Sequence, residues 1–361
     1  DLHSFPTRRS SDLWQKVVDF FCGCGGASTG FRMAGMDVVA AIDNDIDAVK
    51  TFSRNFPEAK VLREDITSLS LNSIEDVVSG KEPLLFAGCA PCQPFSKQNR
   101  QKKKDDPRVN LLDEFTRFVV HYKPDFIFIE NVPGLQKPLE QDGPLNRFIA
   151  ALASAGYPEP SVRVISTLQY GVPQDRHRLI LIASKREKIP FPEETHGEKP
   201  GLKRYATVRN LIGDLPELEA GETDPKDPFH FAAKLSPLNL KRIKATPEGG
   251  GWEDWSDDLL LDCHKRMKGN NMAGHSDTYG RLAFDKPSCS LTTRCISYSN
   301  GRFGHPVQNR AISVREAACL QTFPRDFAFD CPYTVAARQI GNAVPPLLAE
   351  VFGRHFLSYC K

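Results

Sequence analysis

The sequence predicts an α/β fold in which a mostly parallel sheet is covered by helices and joined to a smaller, loop-rich unit. Three observations predict it. Short, wholly apolar runs recur through the first half of the chain, as in strands buried on both faces. A helix-periodic segment lies between two of them. Beyond Ala183 the texture changes to Pro, Gly and charge with weak periodicity, including Gly249-Gly250-Gly251.

The elements follow in order. Val17-Val18-Asp19-Phe20-Phe21 reads as a first buried strand, and a Gly-rich turn follows it. Val38-Val39-Ala40-Ala41-Ile42 is the second and ends at Asp43. Leu84-Leu85-Phe86-Ala87 runs into Gly88, and Phe126-Ile127-Phe128-Ile129 runs into Glu130. Leu179-Ile180-Leu181-Ile182 is the fifth. Between the third and fourth, Leu111, Leu112, Phe115, Phe118, Val119 and Tyr122 share one helical face. Residues 313–320 read as a helix, and the chain closes with Gln339-Ile340-Gly341-Asn342-Ala343-Val344-Pro345-Pro346 and a terminal helix. In parallel sheets the ligand sits beyond the carboxyl ends of the strands. Asp43, the turn around Cys92 and Glu130 are therefore expected at one rim.

With 361 residues, 40% of them hydrophobic, the chain can bury one large core and a second, smaller one. No apolar run is long enough to span a bilayer, and no secretory signal precedes the first strand. A soluble, cytoplasmic protein with no membrane partner is expected. A net charge of +2 does not by itself point to nucleic acid, so such a partner would be met by local basic patches. Residues 3–13 can be read back as codons of a widely used DNA-sequencing adapter, so 1–13 is expected to be a non-native tail, with a disordered polar tail as the alternative. The expected division is 14–185 and 307–361 for the sheet domain and 186–306 for the loop-rich unit.

Asp19-Phe20-Phe21-Cys22-Gly23-Cys24-Gly25-Gly26, with Gly30 after it, lets a ligand approach the backbone at a helix N-terminus. Asp43 can accept from ribose hydroxyls and Asp65 from an adenine amino group. Two adjacent glycines with the next four residues on is not the dinucleotide pattern; it favours adenosine without a pyrophosphate. The turn can also be a plain turn. Gly88-Cys89-Ala90-Pro91-Cys92-Gln93, Glu130-Asn131-Val132 and Gln174-Asp175-Arg176-His177-Arg178 lie at strand edges and together make a site. Cys89 and Cys92 could instead be a redox couple or half a zinc site, but no second pair stands at zinc spacing, and Cys263, His264 and His275 are scattered.

In this order the blocks resemble the DNA cytosine-5 methyltransferase family over nearly all of residues 16–361. The resemblance implies a Rossmann-like domain that uses S-adenosylmethionine, joined to a target-recognition domain. It implies an enzyme that methylates carbon 5 of a flipped-out cytosine in double-stranded DNA. Cys92 is the implied nucleophile, its thiolate adding to carbon 6 of the ring. Glu130 is the implied proton donor at ring nitrogen 3, Arg178 a contact to the cytosine, and Arg176 a brace for the nucleophile loop. Phe21 would stack on adenine. Gly23, Gly25, Asp43, Asn44, Asp65, Ile66, Pro91, Leu111, Asn342 and Val344 would complete the cofactor pocket. The family usually has Glu where this chain has Asp43, and the shorter carboxylate should loosen ribose binding. The basic stretch 97–104 would close over the DNA backbone. Arg294, Asn300 and Arg302 in the variable unit are of the right types for base or phosphate contacts. A monomer acting beside a separate cognate restriction endonuclease is implied. Two rivals are a tRNA cytosine-5 methyltransferase, whose Cys-Phe-Thr signature does not occur here, and a non-catalytic DNA-binding relative, which would lack Cys92 or Glu130.

Overall fold

Apolar runs buried on both faces pair into a seven-stranded sheet, seen in a computed structural model that describes residues 15–90, 110–136, 143–270 and 277–360. The first half holds β1 (Lys16–Phe20), α1 (Gly26–Met33), β2 (Asp37–Asp43), α2 (Ile46–Asn55), β3 (Lys60–Arg63), α3 (Glu75–Val78), β4 (Leu84–Gly88), α4 (Leu111–Tyr122), β5 (Phe126–Asn131) and α5 (Pro144–Ser154). β6 (Ser161–Ser166), β7 (Gln174–Asp175) and β8 (His177–Ser184) follow. Next come α6 (Val208–Ile212), β9 (Thr223–Asp224), β10 (Asp227–Phe231), α7 (Pro237–Ala245), α8 (Asp262–Asn270), β11 (Ser288–Cys289), α9 (Val314–Leu320), α10 (Tyr333–Asn342) and α11 (Pro346–Leu357).

The strand order is β3-β2-β1-β4-β5-β8-β6. Strands β1 to β5 are parallel; β8 runs antiparallel between β5 and β6. The chain fills one side of β1 and then crosses to the other, so the switch point lies between β1 and β4. All five runs read from the sequence are strands, and the helix read at 111–122 is α4. The fifth is the reversed one, and two edge strands, β3 and β6, carried no apolar run to mark them.

Alternation along the strands supplies the two faces. On one, Phe20 meets Phe86, Phe115 and Phe118, each with ring centroids 5.1 Å away, and α4 covers them. On the other, Phe128 meets Phe31 of α1 at 5.6 Å and Phe352 of α11 at 5.4 Å. No helix among the described residues is long and apolar enough to cross a membrane.

The chain forms two compact units. One holds the described residues up to Tyr170, with His177–Thr195 and those of Ala343–Lys361; the other holds Gly171–Arg176 and His196–Asn342. Residues 307–342, expected with the sheet domain, therefore cluster with the second unit. That unit has its own core around Ile243, Trp252, Trp255, Leu259, Leu260 and Tyr298. Its helix α9 begins on a capping box between Ser313 and Glu316, and Glu316 is clamped by Arg310 at 2.7 and 2.8 Å.

Candidate active site

The turn after β1 is built from strained backbone. Phe21 holds φ 59, rare for an aromatic residue, and Gly23 and Gly25 hold φ 54 and 97. A Cβ built on Gly23 would meet nothing within 4 Å, so that face of the turn is open to a ligand. Gly26 and Gly30 serve another purpose. A Cβ on Gly26 would lie 2.4 Å from the Val344 carbonyl oxygen, and one on Gly30 would lie 2.1 Å from that of Pro346. Both glycines let the returning C-terminal segment press against α1, which is how Val344 reaches the turn.

Asp43 ends β2 beside this turn. Gly23 N–H donates to its Oδ2 at 2.8 Å and Asp45 N–H to its Oδ1 at 2.9 Å. Burial raises its pKa against these hydrogen bonds. Asp65, exposed beyond β3, is held below the usual carboxylate range by the Thr67 N–H and hydroxyl. Asn44 Nδ2 reaches Asp65 Oδ2 at 3.4 Å, and Ile66 is buried next to it. Leu111, half-buried, starts α4 and packs against the aromatic core.

The antiparallel strand shapes the corner at the end of β5. Because β8 reverses, its first residues lie at the carboxyl end of β5, where Glu130 pairs with Ile180 and Asn131 with Leu179. Arg178 Nε comes 2.7 Å from Glu130 Oε1. The N–H is not aimed at that oxygen, which is buried without a hydrogen bond, so the contact is an ion pair only. Arg176 belongs to the second unit, where it donates to the Leu291 and Gly341 carbonyls, both at 3.1 Å. Asn342, exposed, ends α10 in that unit. Pro91, Cys92, the basic stretch 97–104 and the tail 1–13 lie outside the described residues.

Two residues gained roles that no sequence pattern had assigned. Asn131 Nδ2 donates to the Ala90 carbonyl at 3.2 Å, while its Oδ1 accepts from Val132 N–H at 2.9 Å. It thereby ties the end of β5 to the chain leaving β4, two residues before Cys92. Asp19 is fully buried at the rim end of β1. Ser28 donates to its Oδ2 at 2.6 Å, its Oδ1 has no partner, and burial pushes its pKa up to about 7. Its signal was a charged residue inside an apolar run.

Of the three expected DNA contacts, Arg302 is engaged within the protein, while Asn300 is exposed. Arg302 donates to the carbonyls of Gly249 and Gly250 at 2.8 and 2.7 Å and pairs with Asp277 at 3.1 Å. The tight glycine loop leaves carbonyls needing donors, and Arg302 supplies them. Asn300 Nδ2 donates to Ser297 Oγ at 2.6 Å. Among the described residues no three His, Cys, Asp or Glu side chains gather as a metal site.

The rim thus offers an open glycine turn flanked by two carboxylates, beside an acid–arginine pair. The donor set fits S-adenosylmethionine: carboxylates for its hydroxyls and amino group, an aromatic face, and open backbone at Gly23. A family model described as C-5 cytosine-specific DNA methylase matches residues 15–358. The chain is 37% identical to type II methylase M.HgiDII of Herpetosiphon aurantiacus, over 94% of each protein. It is 33% identical to type II methyltransferase M1.HphI of Haemophilus parahaemolyticus, over 94% of this chain and 86% of that one. Among solved structures, the Entamoeba histolytica methyltransferase EhMeth is similar in fold, with a TM-score of 0.63 at 18% identity over 97% of this chain and 100% of that one. The chain belongs to the family of C-5 cytosine-specific DNA methylases and uses S-adenosylmethionine.

Proposed function

We propose that this chain methylates carbon 5 of a flipped-out cytosine in double-stranded DNA through a transient bond from Cys92. The observation that carries the reading is the corner at the end of β5. There Glu130 is ion-paired with Arg178, and Asn131 is bonded to the segment leading to Cys92. Cytosine carbon 5 is a weak nucleophile. The Cys92 thiolate bonds to carbon 6 and pushes electrons toward carbon 5, while Glu130 donates a proton at ring nitrogen 3. Arg178 orients the base and stabilises charge that develops on it. S-adenosylmethionine supplies the methyl group when bound. A base then removes the carbon 5 proton, the ring nitrogen 3 proton returns to Glu130, and the Cys92 sulfur leaves carbon 6 as a thiolate, restoring the aromatic ring.

On the nucleotide side, Asp43 holds the ribose and Asp65 the adenine amino group. Phe21, Gly23, Gly25, Asn44, Ile66, Pro91, Leu111, Asn342 and Val344 complete the pocket. Arg176 braces the chain next to Arg178. The names of the type II relatives support a place beside a separate restriction endonuclease. The protein would act there as a monomer in the cytoplasm, its second unit choosing the target sequence.

Bisulfite sequencing of plasmid DNA from expressing cells reads the activity and the target together. With that target known, a duplex carrying 5-fluorocytosine at the methylated position should form a covalent adduct on residue 92 when the cofactor is present. Cys92→Ser should form no adduct and show no turnover while still binding cofactor. Wild-type turnover in that variant would remove the thiol from the mechanism.

A further inference from the structure

In the second unit the chain from Leu291 to Ser297 is braced from several directions. Leu291 N–H donates to Gln174 Oε1 at 3.0 Å, and its carbonyl accepts from Arg176 at 3.1 Å. Thr292 lies so close to α10 that a Cβ on Gly341 would be 2.3 Å from its carbonyl carbon. Cys295 Sγ reaches the Ala337 carbonyl at 3.7 Å. Two successive turns close the loop, Cys295 N–H to Thr292 O at 3.1 Å and Ser297 N–H to Arg294 O at 3.0 Å.

Arg294 stands exposed on this braced turn, with Thr293 exposed next to it. Its backbone N–H donates to Thr292 Oγ1 at 3.3 Å. Among the described residues no hydrogen bond or ion pair engages its guanidinium. Nearby Arg302 is the contrast, bound to carbonyls and to Asp277. Arg294 is thus a cation without a partner among the described residues, on a backbone braced from several sides.

We infer that Arg294 binds a phosphate of the DNA backbone and sets the register of the duplex on the protein; this rests on the reading of the chain as a DNA methyltransferase. A guanidinium matches phosphate oxygens bidentately. Fixing the turn in advance lowers the ordering cost of the contact. Phosphate is favoured over a base edge because the side chain rises from a compact turn, with no helix or strand there to enter a groove. The segment that anchors this turn, Gln174 to Arg176, lies two residues from Arg178 in the chain.

The test uses the full chain and fluorescence anisotropy over a salt series, on a labelled duplex carrying the methylated sequence and on one lacking it. Arg294→Gln should weaken binding on the order of tenfold, the scale of one charge-assisted contact. The loss should be alike on both duplexes. The slope of log K against log salt should fall by about 0.9, the value for one neutralised phosphate. Arg294→Lys should keep the wild-type slope. An unchanged slope in Arg294→Gln would overturn the inference. So would a loss confined to the cognate duplex, which means a base contact. Wild-type protein that binds no DNA would sink the methyltransferase reading as well, which bisulfite sequencing reports separately.

Discussion

Asp19 shows how one residue can set a pH dependence. Its carboxyl is buried, with Ser28 as its hydrogen-bond donor, and is pushed up to about 7 by that burial, with Asp43 adding repulsion. The folded chain then holds this proton more tightly than the unfolded chain, whose Asp titrates near 3.8. The stabilisation is complete below the unfolded value and is lost as pH rises through about 7. Asp19→Asn is neutral at every pH and still offers Ser28 an acceptor. Urea midpoints for the wild type should fall between pH 5 and pH 8, and those of Asp19→Asn should fall less. Some slope should remain, because burial raises Asp43 too. Parallel profiles for the two proteins would show that Asp19 does not titrate in this range.

Among the elements, the crossing of α1 and α11 depends on small residues. Gly30 lies against the Pro346 carbonyl, and Gly353 against Ala34 and Met36. Gly30→Ala forces a methyl group to within 2.1 Å of that carbonyl unless the helices part. Overpacking of this kind costs on the order of 1–3 kcal/mol, more than the helix propensity gained from alanine. A denaturant titration should show the loss, and an unchanged midpoint would mean the helices separate freely. The same crossing brings Val344 to the turn after β1, so, with the pocket proposed above, cofactor affinity should weaken in step. From the sequence, ligand approach was expected at Gly23, Gly25, Gly26 and Gly30 alike. Of these four, Gly23 alone has nothing within 4 Å of an added Cβ among the described residues.

At the scale of the molecule, ligand binding and folding are linked. Cofactor at a hundred times its dissociation constant should stabilise the protein by about 2.7 kcal/mol. Hydrogen exchange should locate the effect. Protection is expected at the amides of Gly23 and Asp45, which already donate to Asp43, and along the rest of the turn after β1. Asn342 is the one assigned cofactor residue in the second unit. Slowed exchange at 341–342 would support its assignment, and unchanged exchange there would remove it from the pocket.

Local chemistry made much of this protein legible without coordinates. β1, β2, β4 and β5 are covered on both faces and so are largely apolar, and each announced itself as a run. α4 was legible because its buried residues Leu112, Phe115, Phe118 and Val119 repeat at helical spacing. β3 (Lys-Val-Leu-Arg) and β6 (Ser-Val-Arg-Val-Ile-Ser) were not, because edge strands are half solvated and can carry charge. Strand direction is likewise silent in a buried run: Leu179 to Ile182 reads the same either way. Only the folded chain reverses β8 and sets Arg178 against Glu130, turns Arg302 inward, and leaves Arg294 facing water. Residue types and their order determined which groups could act. Their partners depended on chain segments more than forty residues apart, and no local pattern encodes that pairing.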